Sequence, residues 1–113
     1  MAKINKKWIE GELFGTSALS DNTSVYADID GFNVNGKESF QGLLKAKIGA
    51  SSNRNETFTI TGNYVDNNWH ISIDSVGDSG VTIEITAAGQ IQYKSDTYAG
   101  YTSGEFSFTV VTI

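Results

Sequence analysis

The chain has 113 residues, no cysteine, no proline, one histidine and a formal charge of −5. That length supports a single hydrophobic core, while the missing thiols exclude a disulfide framework, a cysteine nucleophile and a thiolate metal site, and one imidazole is too few to hold a transition metal tightly, so no cofactor and no metal are expected. Lys3, Lys6 and Lys7 lie in the first seven residues, so from Trp8 onward five basic residues face thirteen acidic ones and the body carries −8, which disfavours nucleic acid and anionic membranes as partners.

The opening MAKINKK has the charge of a secretory leader but no apolar stretch follows it, and no segment approaches the roughly 18 apolar residues of a membrane span, so no membrane insertion is expected. Residues 1–7 read as a basic arm and residues 8–113 as one domain. Trp8 to Phe14 reads as the first strand. Its Glu10 and Glu12 are two apart, so their carboxylates share a side about 7 Å from each other, near the separation of an inverting glycosidase pair. Catalytic carboxylates normally come from different elements facing a cleft, and these two read as charges that keep an edge soluble. Past the turn-forming GTSALSDNTS, Val25 to Val34 is a second strand, whose Asp28 and Asp30 miss the DxDxDG spacing of a calcium loop. After NGKE comes ESFQGLLKAKIG, in which a strand over Phe40 to Ile48 and one helical turn both remain open.

Glu56 to Tyr64 and Trp69 to Val76 flank VDNN and form a hairpin in which Tyr64 faces Trp69, Gly62 faces Ile71 and Ile60 faces Ile73. One face then gathers Phe58, Ile60, Tyr64, Trp69, Ile71 and Ile73, a core face. The other carries His70, Ser72 and Asp74, each two-residue step covering about 7 Å, so Asp74 is too distant to orient His70 and the imidazole reads as exposed and idle rather than as part of a triad. No catalytic residue is assigned. Asn67 and Asn68 at the hairpin tip are candidate ligand contacts, although turn chemistry also accounts for them, as it does for Asp66, Asp78 and Ser79.

Val81 to Thr86 and Gln90 to Ser95 make a further hairpin. With Ala87, Ala88 and Gly89 as its loop and Gly89 left-handed, Thr86 faces Gln90, Ile85 faces Ile91 and Ile83 faces Tyr93. In the following SDTYAGYTSG, Tyr98 and Tyr101 stand in a small, polar setting. They are candidate ligand-binding residues of the rigid amphipathic kind that sugar-binding loops use, or else caps folded over the core. The last strand, GEFSFTVVTI, turns apolar on both faces toward its end. Val110, Val111 and Ile113 are therefore candidate oligomer contacts, unless the strand is central and covered by its own domain. The whole pattern is all-β: about eight short strands suited to an antiparallel β-sandwich, jelly-roll-like.

WIEGELFGTSALSDNTS at the front and DSGVTIEITAAGQIQYKSDTYAGYTSGEFSF at the back resemble the β-rich modules toward the C-termini of bacteriophage tail fibres and related virion proteins. The similarity spans nearly the whole chain and is clearest at Ser79-Gly80, the AAGQIQY hairpin, the YAG loop and the closing SGEFSF strand. The resemblance implies a small virion module, on the tail or particle surface, typically in threefold copies, that attaches to a host-surface glycan or fastens to another virion protein. No fibrous shaft stands before it in these residues, which suits an excised domain or a free-standing small virion protein. A noncatalytic attachment role ranks first, a structural decoration or connector role acting through oligomer contacts second, and a polysaccharide-degrading tailspike fragment last.

Overall fold

A computed structural model describes residues 11–112, so the basic arm, Glu10 and Ile113 lie outside the described residues. Eight strands follow in order: β1 (Glu12–Ala18), β2 (Ala27–Asn33), β3 (Ser39–Gly49), β4 (Arg54–Val65), β5 (Asn68–Asp78), β6 (Val81–Ile85), β7 (Gln90–Ser95) and β8 (Ser103–Thr112). They form two antiparallel sheets, a larger one ordered β1-β8-β3-β4-β5 and a smaller one ordered β2-β7-β6. Their inner faces pack together as a sandwich, with Phe32 of the smaller sheet stacked on Phe108 of the larger (centroids 4.9 Å) and Tyr93 edge-on to Phe106 (4.8 Å).

The segment left open between strand and helix is β3. Its burial alternates without a break, Phe40, Gly42, Leu44, Ala46 and Ile48 inward and Gln41, Leu43, Lys45 and Lys47 outward, a period of two that no helix can satisfy. Both hairpin registers read from the sequence hold. Ile85 pairs with Ile91 and Ile83 with Tyr93, around a loop in which Gly89 has φ +92° and its N–H donates to the carbonyl of Thr86. Tyr64 pairs with Trp69, Gly62 with Ile71 and Ile60 with Ile73. Only Asp66 and Asn67 form the turn itself, both left-handed at φ 53° and 65°, the pair of conformations that matches strand twist in a two-residue hairpin.

One expectation is corrected and one open alternative is decided. The first strand, expected over Trp8 to Phe14, runs on to Ala18 because GTSA pairs with Glu105–Phe108 of β8; the ladder overrides the turn-like composition. Of the candidate oligomer contacts on the C-terminal strand, Val110 is covered by its own domain, the alternative that a central strand allowed. β8 lies between β1 and β3, Val110 faces inward with no exposure, and only Val111, 37% exposed, stays on the outer face. That outer face also exposes Phe14 and Leu43.

The sheets differ in size, and this shapes the surface. Phe58 and Ile60 of the β4–β5 hairpin are buried as expected, but Tyr64 and Ile73 on the same face are 41% and 37% exposed and Trp69 and Ile71 are half-buried. The smaller sheet does not reach over that margin.

Candidate functional site

Loops gather at both ends of the sandwich, and the residues marked as ligand contacts fall at opposite ends. Tyr98 and Tyr101 follow β7, beside the β3–β4 and β5–β6 connections, whereas Asn67 and Asn68 lie at the β4–β5 tip. At the first end the tyrosines cap the core. Tyr98 is buried, its hydroxyl donates to the Ser79 carbonyl at 2.6 Å, and its backbone N–H donates to Asp21. Tyr101 stacks on it at 6.3 Å and donates to the Leu19 carbonyl. Burial is the main cause that holds both phenols above their ordinary pKa. Tyr98 thus takes the capping role that the sequence left open, and half-buried Tyr101 is tied to the same cap.

The polar groups at that end are likewise committed. Glu56 accepts from the Ser75 hydroxyl and from both the N–H and the hydroxyl of buried Ser79, which pins the crossover from one sheet to the other. Arg54 donates to Asp78 at 2.8 Å, approaches Asp96 and lies over the Tyr98 ring. Its guanidinium, chiefly through that hydrogen bond, holds the Asp78 carboxyl below its ordinary pKa. On β2, exposed Asp28 accepts from Gln92.

The other end carries a cleft of about 290 Å³ lined by Asn35, Gly36, Lys37, Glu38, Tyr64 and Trp69. Tyr64 and Trp69 are the last cross-strand pair of their face before the turn, and their rings meet at 5.2 Å, tilted by 53°. Trp69 leans its other side on the buried ring of Phe40 at 5.5 Å, so the platform is anchored in the core. The β2–β3 loop forms the second wall. It is tied to the hairpin by Tyr64 N–H donating to the Glu38 carbonyl (2.8 Å), to the β6–β7 turn by Val34 N–H donating to Gly89 (2.9 Å), and within itself by Asn35 N–H donating to the Asn33 side chain (2.8 Å). Aromatic faces beside a few polar groups on a braced loop make a binding surface for an amphipathic ligand.

Sequence reasoning assigned Tyr64 and Trp69 to the core and passed over Asn35, Lys37 and Glu38. The available signal was position: the two rings end an apolar face next to a two-residue turn, where a ladder most easily projects past its cover. A larger groove of about 450 Å³ runs over Lys47, Asn55, Ser103 and Glu105 on the outer face. It has no aromatic wall, and size alone does not select it.

No protein-family model matches the chain, and no curated protein matches it by sequence. Among solved structures, the crystal structure of the Acinetobacter phage vB_ApiP_P1 tailspike protein matches over 100% of this chain and 23% of its own, with 19% identity and a TM-score of 0.50. The strand arrangement described above is thus similar in fold to a part of a phage tailspike.

Proposed function

We propose that this domain is a noncatalytic binding module of a phage virion, at the tail, that holds a host-surface glycan against Tyr64 and Trp69. The observation that carries the reading is the Tyr64–Trp69 platform beside Asn35, Lys37 and Glu38. Flat rings accept the C–H face of a sugar while the polar groups take its hydroxyls. The fold shared with part of a tailspike supports the setting. The cleft lining contains one carboxylate, Glu38, whereas glycoside hydrolysis by the common route needs two across the scissile bond, and this supports binding without turnover.

The test is a glycan array followed by titration of the best ligand. Tyr64→Ala and Trp69→Ala are each expected to weaken binding at least tenfold, with cooperative unfolding retained, and prolonged incubation with purified host polysaccharide is expected to release no reducing ends. Undiminished binding by both variants removes the cleft from the reading, and hydrolysis removes the word noncatalytic.

A second reading, a connector acting through protein contacts, is favoured by the exposed Phe14, Leu43 and Val111 on the outer face of the larger sheet. Arrays without any glycan signal, together with capture of a virion protein that Leu43→Lys abolishes, would select it.

A further inference from the structure

We propose that β5 pairs antiparallel with the β5 of a second copy across a two-fold axis through Ser72, setting His70 opposite the partner's Asp74 and Ile71 opposite the partner's Ile73. This contact does not depend on what the cleft binds, and it meets the cleft at one residue, Trp69, which lies on β5 and would face the partner's Ser75.

The argument starts from the edges. A two-sheet sandwich has four, and free strand edges invite pairing unless they are blunted. Three are managed here. β6 has only five residues; β2 breaks register between Asp28 and Asn33; and β1 is held beside β2, where Asp30 N–H donates to the Ser17 hydroxyl at 2.9 Å. β5 is different. It has eleven residues, pairs without a bulge along its whole length with β4 and, among the described residues, with no other strand, and contains no proline and no lysine. It is exposed almost throughout, and its inner-face Ile73 is 37% exposed.

Backbone geometry restricts how two such edges can meet. In a two-residue hairpin the closing pair, Val65 and Asn68, exchanges hydrogen bonds, and bonded and non-bonded pairs then alternate. Even-numbered residues of β5 therefore turn their N–H and C=O toward β4, and odd-numbered ones turn theirs to the free edge. Odd must pair with odd, so a symmetric antiparallel pairing always sets some residue against itself on the axis.

The side chains choose which residue that is. With Ser72 on the axis, each His70 meets an Asp74, the four isoleucines form two cross-strand pairs on the inner face, and carboxylates oppose only beyond the strand's core, where Asp66 of the turn faces the partner's Asp78, a carboxylate already held by Arg54. Moving the axis to Ile71 sets Asp74 against Asn68, and moving it to Ile73 sets His70 against Val76. Axes at Asp74 and at His70 bring carboxylates together, Asp74 on Asp74 or Asp74 on Asp66. The sequence WHISIDS is thus self-complementary about its serine, as an isologous interface requires, and its cross-strand His70–Asp74 pairs fix the register.

Single-residue chemistry tests both the dimer and the register. The chain has no native cysteine, and a non-bonded antiparallel pair places its Cα atoms about 4.5 Å apart, within disulfide range. Ser72→Cys is expected to give a disulfide-linked dimer on mild oxidation, whereas His70→Cys and Asp74→Cys cross-link only when mixed. In sedimentation of the full chain, His70→Asp is expected to raise the dimer dissociation constant at least tenfold, and H70D/D74H, which exchanges the two partners, to restore it to within about threefold of wild type. A wild-type monomer at tens of micromolar, a trimer in which Ser72→Cys stays reduced, or indifference to His70→Asp would each overturn the proposal.

Discussion

The Tyr98 hydroxyl, inside the fold and 2.6 Å from the Ser79 carbonyl, shows how one atom can decide what a loop is for. The same ring on the surface would be a sugar platform; here its one polar group is spent on the crossover between the sheets. Tyr98→Phe is expected to cost about 1 kcal/mol, the net contribution of a typical internal hydrogen bond, and to leave glycan binding unchanged. It should also alter the alkaline limb of stability. Because burial raises the folded pKa above the ordinary value, the unfolded chain loses this proton first, so the contribution of Tyr98 is complete below about pH 10 and declines as pH rises through the folded pKa. Thermal melts of Tyr98→Phe between pH 8 and 11 should fall less steeply than those of the wild type; parallel curves would mean the phenol is not held as described.

At the scale of elements, the β4–β5 hairpin needs Gly62 for space. A Cβ at this position would clash with the ring of buried Phe40, the ring on which Trp69 leans. Gly62→Ala is therefore expected to destabilise the fold by about 1–3 kcal/mol through overpacking, and to weaken the cleft as Phe40 shifts under Trp69; chemical denaturation and glycan titration measure the two effects. The strands around this glycine were legible because alternation is a local property: Gly89 and the isoleucines set the β6–β7 register, and Phe58 through Ile73 set that of β4–β5. Sheet order was not legible. Nothing within GEFSFTVVTI says that β1 and β3 flank it, so Val110 looked in need of a partner that its own domain supplies. The platform was hidden for a related reason. Sequence places Tyr64 and Trp69 on a core face, but their exposure follows from the smaller sheet having three strands against five, a property of the whole chain. For Tyr98 and Tyr101 the sequence left both roles open, since an aromatic loop reads alike whether it stacks on a ligand or folds back.

For the whole molecule, the proposed two-fold pairing would join two five-stranded sheets into one of ten and place both clefts on the same side of it. Trp69 and its symmetry mate would be about 20 Å apart along the strands, six residues at roughly 3.3 Å each, so a repeating polysaccharide could be engaged twice and modest single-site affinity multiplied. A different consequence follows from β8, the last strand, which lies second in the sheet and pairs with the first strand: Glu12 faces Val111, and Thr112 N–H donates to the Gly11 carbonyl at 2.9 Å. The larger sheet lacks an inner strand until Ser103–Thr112 is synthesised, so a nascent chain can form the earlier hairpins but not the complete sandwich before then, and sequence-distant closure makes folding slow. Circular permutation should relieve this. Joining Ile113 to Met1 and opening the chain between exposed Ser24 and Val25, in the connection between two strands that belong to different sheets, turns β8 and β1 into neighbours and breaks no hairpin. The permutant is expected to keep the wild-type circular dichroism spectrum and to refold faster in stopped-flow fluorescence; an equal or slower rate would show that closing β8 against β1 is not what limits folding.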